Sequence, residues 1–311
     1  MTTMKAMRMH EYGPPDVLRF EDAPRPNIED DQLLIKVRAA GMNPLDWKIR
    51  SGLFKAWAPE DLPQILGFDM AGEVAAIGAN VTQFAIGDAV YGTTDMGAYA
   101  EYVVARVADV ALKPRSIDFI HAAVIPSSAI TAWQALLHSA QLAAGQTVLI
   151  HGAAGGVGTF AVQIAKWCGA RVIGTASAHN HDFLRQLGAD EVIDYNITPF
   201  EDVVRDVDVV FDTIGGATLR RSCRVIKPGG KIRTIADETA PEVAAQYGVD
   251  VSQFDIELPA PALLAELARL VDAGHIKPII TTVLPLSEAP QAHMLSASGH
   301  VRGKIVLQVT D

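Results

Sequence analysis

Cysteine is nearly missing from this sequence: two residues in 311, Cys168 and Cys223, far apart and in no metal-ligand or redox spacing. That excludes a disulfide framework and a cysteine-rich metal site, and it suits thiols in a reducing cytoplasm. Positive charge is in deficit, with Lys+Arg 26 against Asp+Glu 36 and a net charge of −10. A general nucleic-acid binder or a basic membrane-surface protein is therefore not expected. Charge of either sign is absent from 119–165, 47 consecutive residues without Asp, Glu, Lys or Arg. Pro126, Ser127-Ser128, Gln134, Gln141, the turn at 144–146 and the glycines at 155–158 cut that block into pieces too short to span a bilayer. The opening MTTMKAMRMH has charges with no apolar stretch behind it, so no signal peptide is expected. What is present, 49% hydrophobic residues, is enough for large buried cores and excludes disorder.

The rhythm of the chain changes near residue 121. Before it, short alternating or β-branched runs at 4–9, 32–40, 72–77, 89–91 and 98–104 are punctuated by proline and glycine, the pattern of a β-rich domain. After it, strands at 147–150, 171–175, 191–194, 208–212 and 231–235 alternate with helical stretches, which predicts a parallel sheet covered on both faces. A helix is expected at 261–273. The tail lacks another strand–helix–strand unit and is expected to return to the first domain. The predicted fold is thus α/β, with a doubly wound domain over 121–274 inserted into a discontinuous β-rich domain of 1–120 and 275–311. There is no repeat at solenoid spacing and no low-complexity tract.

The sharpest chemistry lies in TVLIHGAAGGVGTFAVQIAKWCGARVIGTAS, residues 147–177. A strand runs into Gly152, Gly155, Gly156, Val157 and Gly158, then into an apolar-faced helix and a second strand. Glycine lets the turn tighten and the backbone approach a pyrophosphate, and the helix N-terminus offers free N–H groups and a partial positive charge. An NAD site places a carboxylate at the end of the second strand to accept from the ribose 2′-OH. This strand ends Ala176-Ser177-Ala178-His179-Asn180, with no acid before Asp182. Ser177, His179 and Asn180 can donate to a 2′-phosphate, so NADPH is expected over NADH, although the usual phosphate-binding cation is missing.

These residues sit among others that carry a resemblance. HEYGPPDVL at 10–18, AAGMNPLDWKIRSG at 39–52, LPQILGFDMAGEVAAIG at 62–78, IGDAVYG at 86–92, GAYAEYV at 97–103, ITAWQAL at 130–136, LGADEVIDY at 187–195, DVVFDTIGG at 208–216 and GKIVL at 303–307 occur in order. Together they resemble the medium-chain dehydrogenases/reductases, and within them the zinc-independent quinone oxidoreductases, over nearly the whole chain. The resemblance implies a Rossmann domain inserted into a GroES-like substrate domain, an NADPH cofactor and a homodimer formed through the edge strand within 249–257. It places Thr131 toward the nicotinamide, Tyr195 beside the adenosine phosphate, Ile214 and Gly215 along the adenine ribose, and Ala236 near the nicotinamide.

In the zinc-dependent alcohol dehydrogenases a cysteine lies in the segment matching 41–46 and a His-Glu pair in the segment matching 67–69. Here Asn43 and Phe68 stand in those places, so a zinc ligand set is not expected. Without a Lewis acid, hydride transfer favours substrates that spread the resulting charge, enones and quinones. Asn43 is the first candidate to meet a substrate carbonyl. Asp46 and Arg50, four apart on a helix, are candidates as a pair, and a structural salt bridge is the competing reading. Tyr12, Tyr91 and His10 are candidate proton donors. The expected function is an NADPH-dependent reductase of quinones or activated C=C bonds. Its rivals are a zinc-independent carbonyl reductase and a non-catalytic NADPH-binding protein; the expected partner is a small molecule, with neither nucleic acid nor membrane.

Overall fold

The computed structural model describes residues 2–55, 61–236, 241–253 and 260–310, and the chain divides into two compact units. The first unit comprises Met1–Ser127, Leu258–Gly274 and Pro278–Asp311, and the second Ser128–Glu257 and His275–Lys277. No helix among the described residues is long and apolar enough to cross a membrane.

The first unit opens with β1 (Thr3–Met9), β2 (Leu18–Pro24), β3 (Gln32–Gly41), β4 (Gln64–Ile65), β5 (Asp69–Ile77), β6 (Ala89–Thr93), β7 (Tyr102–Arg106) and β8 (Val110–Leu112). β1 pairs antiparallel with β2 and β4 in a small sheet. β3 and β5 form the centre of a larger one, and their near-continuous apolar runs are buried accordingly. Met7, Met9, Leu33, Ile35, Ile49, Leu66, Met70 and Tyr99 fill the core beneath.

The second unit contains β9 (Thr147–His151), β10 (Arg171–Ala176), β11 (Glu191–Asp194), β12 (Val207–Asp212), β13 (Ile226–Thr234) and β14 (Asp250–Gln253). All pair in parallel, in the order β11-β10-β9-β12-β13-β14. Numbered within the unit this is 3-2-1-4-5-6, the doubly wound order, whose direction of winding reverses beside β9. The chain then returns to the first unit, where β15 (Ile280–Pro285) and β16 (Lys304–Gln308) extend the larger sheet to β15-β16-β3-β5-β6-β8, with β7 also on β3.

Two expectations need correction. The boundary falls after Ser127 rather than at 120, because the Ser127 side chain and amide are tied to Asp69 of β5. The helix Pro261–Asp272 groups with the first unit, although its sequence follows the strands of the second. Leu264, Leu267, Leu270 and Val271 bury its apolar side, the enclosed Tyr91 hydroxyl donates to the Leu264 carbonyl at 2.5 Å, and Asp272 accepts from the Ser116 amide at 2.9 Å. β2, β4 and β8 were not expected; each is short, edge-like or mixed in polarity, so alternation marks it weakly.

Candidate active site

In the second unit every nominated cofactor residue except Thr131, which is buried in the helix Pro126–Trp133, stands just after the C-terminal end of a parallel strand, in the following turn or the first turn of the next helix. β9 ends in Gly152, whose φ of +65° is a left-handed conformation that side chains other than glycine's rarely adopt. Gly155 then caps the helix Gly156–Trp167 in extended conformation, its amide donating to the Gly152 carbonyl at 2.9 Å. The amides of Gly156, Val157 and Gly158 open this helix with no carbonyl one turn behind them, which makes them donors for an anion. Gly158 is required by packing: a Cβ there would lie 2.2 Å from the Gly152 carbonyl oxygen.

At the end of β10, Ser177 Oγ lies 3.2 Å from His179 Nδ1 and 3.4 Å from Asn180 Nδ2, and Asn180 Nδ2 lies 3.2 Å from His179 Nε2. This polar trio contains no carboxylate. Tyr195 and Ile214 expose more than half their surface after β11 and β12, and Ala236 is exposed after β13. Asp212 is wholly enclosed and accepts from the amides of Ile214 at 2.9 Å and Gly215 at 3.0 Å, so its charge fixes the turn after β12. Arg221 pairs with Glu201 and covers Phe200, a structural role.

In the first unit, Asn43 caps the helix Pro44–Arg50, with Pro44 supplying a preset φ at its first position. The Asp46 carboxylate reaches back to accept the Asn43 amide N–H at 2.7 Å. The Asn43 side chain has two partners from distant strands. Its Nδ2 donates to Asp69 Oδ2 at 3.0 Å, and its Oδ1 accepts from Lys304 Nζ at 2.5 Å. Register brings these together: Asp69 faces Gly41 across β3 and β5, and the Met42 amide donates to the Ile305 carbonyl at 3.0 Å, setting Lys304 beside Asn43.

Asp69 and Asp46 are wholly enclosed and Lys304 nearly so. Asp69 Oδ1 accepts from both the amide and the hydroxyl of Ser127, and Lys304 Nζ lies 4.0 Å from Oδ2. Burial raises the Asp69 carboxyl above the usual carboxylate range against the opposing pull of Lys304, and burial lowers the Lys304 ammonium. Asp46 Oδ2 also accepts from the Tyr99 hydroxyl at 2.9 Å, and burial pushes the Asp46 carboxyl up to about 7. Tyr99 is itself raised by burial and by Asp46.

The paired role expected for Asp46 and Arg50 is not what forms. Arg50 turns away and donates to the Gly13 carbonyl at 2.6 Å, while Asp46 bonds to Asn43 and Tyr99; helix spacing alone could not show that each had a stronger tertiary partner. Among the proton-donor candidates, Tyr91 is enclosed and committed to Leu264, and His10 Nε2 is paired with Glu21 at 2.7 Å. Lys304, Asp69, Tyr99 and Ser127, which surround Asn43 and Asp46, were not nominated from the sequence. A lysine and an aspartate inside apolar strand sequences, GKIVL and LGFDMAG, were the available hints.

Comparison with known proteins identifies the family. A model of the alcohol dehydrogenase GroES-like domain matches residues 29–115, and a zinc-binding dehydrogenase model matches 187–307. The chain is 36% identical to the chloroplastic NADPH-dependent alkenal/one oxidoreductase of Arabidopsis thaliana, over 98% of this chain and 79% of that protein. Among solved structures, the quinone oxidoreductase from Coxiella burnetii superposes with a TM-score of 0.94 at 39% identity, covering 99% of this chain and 100% of that one. The Escherichia coli quinone oxidoreductase complexed with NADPH gives a TM-score of 0.90 at 27% identity, covering 98% and 100%.

Proposed function

Because this chain belongs to the medium-chain dehydrogenase/reductase superfamily, in its quinone oxidoreductase-like branch, we propose that it reduces quinones or the C=C bond of enones with NADPH. The observation that carries this reading is the state of Asn43, held between Asp69 and Lys304 at the position where zinc-dependent members have a ligand.

The donor set does not fit zinc. Zinc takes three protein ligands of nitrogen, thiolate or carboxylate type. Asn43 has both ends of its amide engaged, Phe68 offers no donor atom, and Asp69 has both oxygens occupied with an ammonium 4.0 Å away. The residues of the second unit do fit a dinucleotide phosphate: the first-turn amides of 156–158 and the Ser177–His179–Asn180 trio are hydrogen-bond donors of the kind a phosphate takes.

When bound, NADPH supplies a hydride from nicotinamide C4. Addition of that hydride to an enone β-carbon leaves an enolate, which takes a proton from solvent at the α-carbon; a quinone takes hydride and a proton to become the hydroquinone. In both, the negative charge is delocalised and needs hydrogen-bond donors rather than a metal. Asn43, oriented by Lys304 and Asp69, is the candidate to hold the substrate carbonyl. Thr131, Gly152, Gly155, Gly156, Val157, Gly158, Ser177, His179, Tyr195, Ile214, Gly215 and Ala236 are the candidate cofactor contacts. The two cysteines are free thiols, in keeping with a reducing cytoplasm. A homodimer through the open edge of β14 is part of the same reading; residues 254–257 of the proposed edge lie outside the described residues.

Steady-state oxidation of NADPH with a quinone, an enone and a simple ketone tests the reading. Turnover of the quinone or enone is expected. Turnover of the ketone alone would make the protein a carbonyl reductase, and NADPH binding without turnover of any of the three would make it a non-catalytic binding protein.

A further inference from the structure

Asp46 Oδ2 receives two donors, the Asn43 amide and the Tyr99 hydroxyl, whereas Oδ1 is buried with no hydrogen-bond partner. An ionised carboxylate calls for donors on both oxygens when enclosed; a neutral carboxyl bears the lack at far lower cost. Asp69, equally enclosed, has the Ser127 amide and hydroxyl, the Asn43 amide and the Lys304 ammonium, and is the better-held anion. The groups facing Asp46 are Tyr99 from the loop after β6, Asp69 from β5 and Lys304 from β16. His293 stands edge-on to Tyr99, with ring centroids 6.0 Å apart, and Arg50 on the same helix is committed to Gly13. Two enclosed carboxyls thus share one enclosed ammonium, and the cluster is neutral only if one carboxyl keeps a proton.

We propose that Asp46 is a positioning residue that works as a neutral acid, its proton on Oδ1, so that the surroundings of Asn43 carry no second negative charge when an anion develops on the substrate. This rests on the reading of the protein as a quinone or enone reductase with Asn43 at the substrate carbonyl. Asp46 gives up no proton in the reaction; the proton that completes reduction comes from solvent. Ionised Asp46 opposes the charge that hydride transfer places on the substrate, and burial together with nearby Asp69 sets that ionisation at about pH 7.

The test measures single-turnover NADPH oxidation by a quinone from pH 6 to 8 in the wild type and in Asp46→Asn. The side-chain amide of the variant offers a carbonyl to the same two donors and an NH2 in place of the Oδ1 hydroxyl. With a midpoint of about 7, the wild-type rate is expected to fall roughly tenfold between pH 6 and pH 8, the change in the protonated fraction. Asp46→Asn is expected to lose this pH dependence, with a rate that is flat from pH 6 to 8 whatever its level. An alkaline fall that persists in Asp46→Asn overturns the proposal. Infrared spectra decide the protonation state independently of activity, including where Asp46→Asn fails to fold. A buried carboxyl C=O band is expected at pH 6, lost with the same midpoint and shifted in Tyr99→Phe, which removes a donor from Oδ2. A band that is missing at pH 6, or unmoved in Tyr99→Phe, also overturns the proposal. Absence of quinone and enone turnover at every pH overturns the functional reading instead, and leaves the infrared result to decide the charge of Asp46.

Discussion

Gly158→Ala is the most exacting perturbation of the cofactor turn. A Cβ at that position would lie 2.2 Å from the Gly152 carbonyl oxygen and 2.8 Å from the Cα and carbonyl carbon of Ala153, all backbone atoms. Ordinary contact begins near 3.4 Å, so the first turn of the helix and the strand end must separate by about 1 Å. Overpacking of this kind costs roughly 1–3 kcal/mol of stability, several degrees in Tm for a unit of this size. The same displacement draws the amides of 156–158 away from a pyrophosphate. Losing one charge-assisted hydrogen bond, at about 1.5–3 kcal/mol, raises the NADPH Kd roughly ten- to hundredfold, and losing a second raises it further. Gly155→Ala is the control, because its Cβ meets only the Gly152 oxygen at 3.3 Å and its backbone, φ −76° and ψ 179°, suits alanine. Fluorescence titration with NADPH, alongside thermal unfolding of both variants, reads the result. Wild-type affinity and Tm in Gly158→Ala would refute the assignment of this turn to the pyrophosphate.

Ser177→Asp restores a carboxylate at the end of β10; NADPH affinity is expected to fall at least tenfold while NADH affinity is held or improved, by equilibrium titration with each nucleotide. Equal losses for the two nucleotides would remove Ser177 from the 2′-phosphate site. His151 and His293 are buried, and burial lowers both from 6.5 to about 3. Between those values the unfolded chain binds the extra protons, so stability is full above about pH 6.5 and declines as pH falls toward 3. Urea unfolding at pH 5 should show about 2 kcal/mol lost per histidine relative to pH 7, in the unit that contains it, and His293→Leu should remove the share of the first unit.

The doubly wound unit was legible because its strands are buried on both faces. Val148–Ile150 and Val209–Phe211 read as unbroken apolar runs, and the glycines after β9 mark a turn with few other uses. The first unit was harder, since β2 and β8 are short and show no clean alternation. Asn43 was nominated because the residue type departs from a known pattern. Its partners were not: Lys304 is 261 positions away in sequence and becomes a neighbour only through the pairing of β16 with β3. The Asp46–Arg50 pairing went astray because side chains four apart on a helix can meet, yet the nearer donors came from Tyr99 and from the backbone of Asn43.

That strand pairing also orders events as the chain is made. β16 sits between β15 and β3, so the larger sheet of the first unit cannot close until residues 304–308 have emerged from the ribosome, after the whole of the second unit. The second unit, apart from its short return segment His275–Lys277, is continuous in sequence and can fold while the first waits open, as domains generally do during synthesis. Throughout that interval Asp69 lacks the ammonium of Lys304, the last-synthesised charge of the cluster, which arrives on the strand that pairs with β3. Removing the last eleven residues would therefore take away more than one strand: it should leave a nascent-like first unit, protease-sensitive and joined to an intact second one.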